Sequence, residues 1–204
     1  KTEFFGYANW SRTTRRLAPN SAKNGLFADS LGIRADELNL NVWSFGFGVR
    51  GELAKTIWWQ GGISWIRNGE TFDFVTADSS LSYQNYYNYV AMPLKIMYRY
   101  GNRVSVYGGI GFVPQMFFSF REERQWKTET NFEDSETITA RNGFNSFVLS
   151  GVGNIGVQLR MNKGASIFTE LEYRHQLTNS YEKTDSYEHF GRAIGLNIGF
   201  TYPL

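Results

Sequence analysis

Val42-Trp43-Ser44-Phe45-Gly46-Phe47-Gly48-Val49-Arg50 alternates two kinds of residue. Trp43, Phe45, Phe47 and Val49 fall on one parity; Val42, Ser44, Gly46, Gly48 and Arg50 fall on the other. Side chains of a strand point alternately to its two faces, so this stretch reads as a β-strand with one bulky apolar face and one small, mixed face. The pattern returns along the chain. Val90, Met92, Leu94, Ile96 and Tyr98 oppose Tyr89, Ala91, Pro93, Lys95, Met97 and Arg99. Val104, Val106, Ile110, Phe112 and Phe118 oppose Ser105, Tyr107, Gly109, Gly111 and Gln115. Phe147, Leu149, Ile155, Val157 and Leu159 oppose Ser150, Asn154, Gln158 and Arg160. Ile167, Leu171 and Tyr173 oppose Glu170, Glu172 and Arg174, and Ile194, Leu196, Ile198, Phe200 and Tyr202 oppose Gly195, Asn197, Gly199 and Thr201.

The spacing predicts eight strands: Thr2–Ser11, Leu38–Leu53, Thr56–Ile66, Tyr86–Tyr100, Arg103–Phe120, Phe144–Met161, Ala165–Leu177 and Phe190–Tyr202. Polar connections at 12–37, 67–85, 121–143 and 178–189 alternate with tight turns at Ala54-Lys55, Gly101-Asn102 and Asn162-Lys163-Gly164. Pro19, Gly25 and Gly32 break the first long connection. The expected fold is all-β: an eight-stranded antiparallel transmembrane β-barrel, an up-and-down meander forming a single domain over residues 1–204. Bacterial outer-membrane barrels keep short turns in the periplasm and long loops outside. The expectation is therefore four long extracellular loops, three short periplasmic turns and two periplasmic termini.

Composition agrees. No apolar run approaches the roughly 20 residues of a spanning helix, so a membrane crossing must be by strands. Mean hydropathy below zero suits a barrel, because only alternate strand positions face lipid. Trp10, Trp43 and Trp65 fall at the long-loop ends of their strands, and Trp59, Tyr98 and Tyr202 at the short-turn ends, where the interfacial girdles of a membrane barrel belong. A soluble lipocalin-like barrel also closes eight strands but needs no girdles. The absence of cysteine excludes disulfides, thiol catalysis and Cys-ligated metal. A net charge of +2 gives no reason to expect nucleic acid. No cofactor is expected. Lys1-Thr2-Glu3 leads directly into a strand, as in a mature chain from which a leader has been removed.

The inner series carries charges that a narrow barrel must pair: Arg50, Glu52, Lys95, Arg99, Arg160, Glu170, Glu172 and Arg174. Arg160 is expected to meet Glu170 or Glu172 across neighbouring strands. This set reads as a structural plug, with a gated ion path as the alternative. Pro93 and Pro114 lie inside strands although a closed barrel has no free edge for them; Pro114 is expected near the outer rim. Arg12, Arg15 and Arg16, with Lys23 beyond, open the first loop and are candidate lipopolysaccharide contacts. Glu122, Glu123, Glu133, Asp134 and Glu136 lack calcium-loop spacing and read as a solvated loop. Gly108, Gly151 and Gly153 fall on the lipid-facing series, as does Gly61. Small residues there permit close packing against another membrane protein.

Tyr89-Val90-Ala91-Met92-Pro93-Leu94-Lys95-Ile96-Met97-Tyr98-Arg99-Tyr100 resembles the Y-x-x-[IM]-P-L…Y-R strand of the PorT-like outer-membrane β-barrel family of Bacteroidota. Tyr107-Gly108-Gly109-Ile110-Gly111 resembles the small-residue strand that follows it, and Glu172-Tyr173-Arg174-His175-Gln176-Leu177-Thr178-Asn179 is similar to the family's seventh strand, with His175 where Tyr is usual. The resemblance implies an outer-membrane location, tolerance of Pro93 and no defined activity. Its members include subunits of secretion and other envelope assemblies. The terminal Tyr202-Pro203-Leu204 departs from the aromatic ending usual in such barrels.

The expected role is non-enzymatic: a structural or accessory subunit of an envelope complex, with outer-membrane lipid and other outer-membrane proteins as partners. A narrow pore or small-ligand carrier is the second reading. A lipid A hydrolase is the third, prompted by His175 near Thr178 and Ser180, but a nucleophile and base must lie within hydrogen-bond reach and these offsets do not supply that.

Overall fold

The computed structural model describes residues 1–19, 36–76, 79–127, 133–161, 164–182 and 187–204. Ten strands form: β1 (Thr2–Pro19), β2 (Leu38–Ala54), β3 (Ile57–Val75), β4 (Ser80–Ala91), β5 (Leu94–Gly101), β6 (Val104–Lys127), β7 (Glu133–Ala140), β8 (Phe147–Arg160), β9 (Ser166–Gln176) and β10 (Tyr187–Pro203). All pairings between them are antiparallel, and β10 pairs with β1 to close a ring. The ring has eight staves, because β4 and β5 are two halves of one and β7 pairs only with β6.

The register sets the barrel's bore. Partner by partner, Phe4 leads through Val49, Gly61, Leu94, Phe112, Gly151, His175 and Arg192 back to β1 at Thr14, ten residues further on. A stagger of that size on eight strands tilts them by roughly 40° and leaves an interior only wide enough for side chains.

The stave formed by β4 and β5 is broken at Met92-Pro93 without losing step. Ala91 pairs with Gln115 and Leu94 with Phe112, so the register against β6 runs through the break. The Met92 N–H donates to the Pro114 carbonyl at 2.9 Å. Pro114, which has no N–H to return, thus lies beside the break rather than at the rim. The two prolines concentrate their missing donors at one place in the wall.

Burial is inverted relative to a soluble protein. Trp43, Phe45 and Phe47 are 55%, 54% and 55% exposed, while Ser44 and Arg50, on the other parity of the same strand, are each 2% exposed. The apolar series of every stave lies outside and the buried set is mostly polar. No soluble monomer presents a continuous apolar belt of this extent to water. The surface is built for hydrocarbon.

Several strands run further than hydrophobic alternation predicts. Residues 12–19 continue β1, Arg67–Val75 continue β3, Ser80–Asn85 begin β4, and Arg121–Lys127 extend β6. The end of β6 and all of β7 fall in the predicted third loop, so Glu122 and Glu123 lie on β6, where Glu122 pairs with Arg124 and Glu123 with Arg121 at 2.8 Å. Both termini lie at the short-turn end, where the Leu204 N–H donates to the Thr2 carbonyl. Gly101 takes φ +112° in the turn between β5 and β6, a conformation that a side chain disfavours. Lys23, Gly25 and Gly32 lie outside the described residues.

Candidate functional site

The lumen is filled in three layers. Nearest the short turns, the Glu3 carboxylate accepts from Arg50 Nε at 2.9 Å and Arg99 NH1 at 3.3 Å. Arg50 also donates to Gln158 Oε1 at 2.7 Å, and the Arg99 guanidinium lies over the Trp58 ring, 4.8 Å from its centroid. Aromatic faces stabilise cations at such distances.

The middle layer centres on Lys95. Its Nζ donates to Glu170 at 2.9 Å and Glu172 at 2.7 Å, and Asn197 Nδ2 donates to the same two carboxylates. Arg174 lies 3.5 Å from Glu172 and donates to Asn68 Oδ1 at 3.0 Å. Strands β5, β9 and β10 thus place one ammonium between two carboxylates, each held by a second donor.

The layer nearest the long loops centres on Glu70. It accepts from Tyr87 at 2.7 Å, faces His189 Nε2 at 3.5 Å and lies 3.8 Å from Arg15. His189 Nδ1 is 3.1 Å from Ser180 Oγ. Arg15 pairs with Glu37, which also accepts from Tyr83 at 2.7 Å. Above this layer, Phe117, Phe120 and Phe144 pack against Tyr87, Tyr89 and Tyr181.

Of the eight lumen charges expected from sequence, six are buried in these layers: Arg50, Lys95, Arg99, Glu170, Glu172 and Arg174. The other two are not. Glu52 stands at the short-turn mouth, 3.8 Å from Lys1. Arg160 is exposed at the end of β8, and the carboxylates expected to meet it are held by Lys95 instead. Arg15, expected in a loop at the lipid surface, faces inward with its side chain 9% exposed. Arg12 and Arg16 face outward and are both exposed. Glu3, Glu37, Glu70 and His189 are the groups that sequence reading missed. The signal was present in part: Glu70 continues the inner parity of Gln60, Ser64 and Asn68, and His189 that of Ala193 and Asn197.

The completed set balances. Arg15, Arg50, Lys95, Arg99 and Arg174 face Glu3, Glu37, Glu70, Glu170 and Glu172: five cations and five carboxylates among the described residues, before any charge on His189. Burial of this many ions is tolerable because each is paired and hydrogen-bonded.

Ser180, His189 and Glu70 stand in the order of a hydrolytic triad, but the chemistry does not follow. All three are buried, at 1%, 1% and 2% exposure. Ser180 Oγ already accepts from Gln176 Nε2 at 2.6 Å, and the His189 ring is flanked by Tyr87 and Tyr181. The trio links β3, β10 and the segment after β9 across the lumen. His175, the histidine considered from sequence, lies on the outer wall beside Tyr173.

The outward glycines differ from the inward ones. A Cβ on Gly111 would lie 2.0 Å from the Leu94 carbonyl oxygen, and one on Gly48 2.2 Å from that of Gly61, so close backbone approach demands glycine there. A Cβ on Gly151 or Gly153 would meet nothing nearer than 3.9 Å, and one on Gly108 nothing nearer than 3.4 Å.

No protein-family model matches this chain, and no curated protein sequence does so. Among solved structures, Neisserial surface protein A superposes with a TM-score of 0.52 at 7% identity, over 100% of this chain and 97% of that one. The outer membrane protein OprG from Pseudomonas aeruginosa gives a TM-score of 0.51 at 13% identity, over 98% and 94%. Both are eight-stranded outer-membrane β-barrels, and the fold of this chain is theirs.

Proposed function

We propose that this chain is a non-enzymatic barrel of the bacterial outer membrane that serves as a structural or accessory subunit of an envelope complex concerned with secretion, transport or assembly. The observation that carries this reading is the balanced, layered lumen. Among the described residues the buried charges of these layers are engaged by opposite ones, which favours a stiff, filled interior over an ion path. The long loops would face outward and the termini the periplasm, as in outer-membrane barrels generally. Gly108, Gly151 and Gly153 support a docking role. They alternate on β6 and β8 with the outward Ile110, Phe112 and Ile155, at positions where internal packing does not require glycine, and small residues let a second membrane protein approach closely. The finer placement in the PorT-like family rests on the Tyr89–Tyr100, Tyr107–Gly111 and Glu172–Asn179 motifs.

A second reading, a small-ligand carrier, has one observation in its favour. A cavity of 410 Å³ opens at the short-turn mouth, lined by Lys55, Arg99, Arg160 and Trp58 among others. Arg99, on its lining, is held at 3.3 Å by Glu3 of the lowest lumen layer.

Two measurements on protein purified in mild detergent test the proposal. Reconstituted into planar bilayers, the monomer is expected to give no stable conductance, and a defined outer-membrane protein is expected to co-migrate with it. A steady open channel from the monomer would overturn the sealed-lumen reading. Monodisperse protein with no companion would overturn the subunit reading.

A further inference from the structure

The outward residues of β9, β10, β1 and β2 form rows that change character abruptly. One row is Leu171, Leu196, Trp10 and Trp43. The next, toward the long loops, is Tyr173, Ile194, Arg12 and Asn41. The row after it is His175, Arg192 and Thr14, and beyond that Arg16 stands opposite Phe190. Above the two tryptophans apolar residues no longer fill the rows: Arg12, Arg192, Arg16 and His175 enter among Tyr173, Ile194 and Phe190. On the opposite wall no such change occurs at the corresponding rows: Pro114 faces Leu149 and Met116 faces Phe147. The cluster belongs to one flank.

Arg12 and Arg192 are diagonal neighbours across the β1–β10 pair, a separation of roughly 7–8 Å at the backbone. Arginine stems of that spacing are long enough for both guanidinium groups to reach one tetrahedral anion. Among the described residues, neither has a carboxylate in ion-pair reach. Asn39, with its amide turned so that the oxygen accepts, takes Arg12 Nε at 2.9 Å and NH2 at 2.8 Å and so orients the guanidinium. Arg192 Nε is buried without a hydrogen-bond partner among the described residues. The nearest outward carboxylate on β10, Glu188, lies further up the strand, opposite Ala18.

We infer that this flank binds the phosphate monoester of a lipid headgroup, gripped by Arg12 and Arg192 and flanked by Arg16 and His175, with the acyl chains lying against Trp10, Trp43 and Leu196. The inference rests on the membrane placement proposed above. A dianionic monoester suits the number of cations, and the tryptophans mark the depth at which headgroups begin.

Brominated lipids test it through tryptophan quenching in reconstituted protein. Brominated phosphatidylcholine should quench, because the tryptophans lie against acyl chains. Its failure to quench would overturn the membrane placement, and this inference with it. Brominated phosphatidic acid should associate about tenfold more strongly than brominated phosphatidylcholine. The R12Q/R192Q variant should lose that preference, R12K/R192K should keep part of it, and R103Q, at the short-turn end, should keep all of it. Normal quenching with no preference in the unaltered protein would overturn the site. Inorganic phosphate displacing phosphatidic acid as well as short-chain phosphatidic acid does would overturn the lipid assignment in favour of free phosphate.

Discussion

Lys95 on β5 and Glu170 on β9 meet 2.9 Å apart inside the barrel, although their strands never pair. Glu172 shares the same ammonium at 2.7 Å. The pairing ties staves on different sides of the ring, which backbone hydrogen bonds join only to immediate neighbours. Lys95→Met would leave two carboxylates facing one another without their cation. Breaking a buried pair typically costs about 3–5 kcal/mol. Urea unfolding in lipid vesicles should show a loss of that order, and adding Glu170→Gln and Glu172→Gln should restore much of it. A variant as stable as the parent would mean that the central layer does not brace the barrel.

The glycines separate into two groups that mutagenesis can tell apart. Gly111→Ala forces a Cβ to within 2.0 Å of the Leu94 carbonyl oxygen, on a backbone held in register from both sides. Overpacking of this kind costs about 1–3 kcal/mol or more, and here it should cut the yield of folded barrel, read as the heat-modifiable band on gels. Gly151→Leu with Gly153→Leu should leave that band unchanged, because both side chains would point into open space. If these two positions dock a partner, the same double variant should release the co-migrating protein.

Pro93 makes a third test. Met92 bonds toward β6, so the next residue's N–H would point toward β3, where the register places Gly62 opposite. Pro93→Ala supplies that missing donor, worth about 0.5–1.5 kcal/mol, and gives back unfolded-chain entropy worth about 0.4–1 kcal/mol. The two effects nearly cancel, so stability should change by less than about 1 kcal/mol. Hydrogen exchange should find the amide that the substitution creates at this position protected. Rapid exchange there would show that the break in the stave exists for a reason other than the missing donor.

Which face each residue takes was legible because alternation records two solvents, hydrocarbon outside and a packed polar interior. Trp43, Ser44 and Phe45 could be assigned from spacing alone. Strand ends were not legible, for the same reason. Beyond the apolar belt both faces are polar, so Arg121-Glu122-Glu123-Arg124 carries no alternation although its ladder with β4 and β7 continues. Arg15, Glu37, Glu70 and His189 lie in segments read as loops, and with them went the whole upper charge layer. Arg160 failed differently. Its parity was right, but parity says nothing of height, and at the end of β8 an inward direction opens to solvent. The lumen partners were beyond reach from sequence, since Lys95 and Glu170 are brought together by the bore of the barrel and not by a shared ladder.

Glu70 tests whether the upper layer is a brace or a reactive centre. Its carboxylate accepts from Tyr87, faces His189 and lies near Arg15, and it stands at the end of the Ser180–His189 line. Glu70→Ala would strip a buried arginine, an imidazole and a phenol of their common acceptor, a loss of about 2–4 kcal/mol by the usual cost of unpaired buried groups. Ser180→Ala removes only a hydroxyl that Gln176 and His189 share, and should cost about 1 kcal/mol. A brace therefore ranks the two variants by stability, with Glu70→Ala much the worse, and neither changes any turnover. A reactive centre ranks them differently, since the nucleophile would matter at least as much as the acid that orients its base. Incubation of the parent protein with lipid A, followed by mass spectrometry, should show no acyl chain released. Release that disappears in Ser180→Ala would make the trio catalytic and overturn the structural reading of this layer.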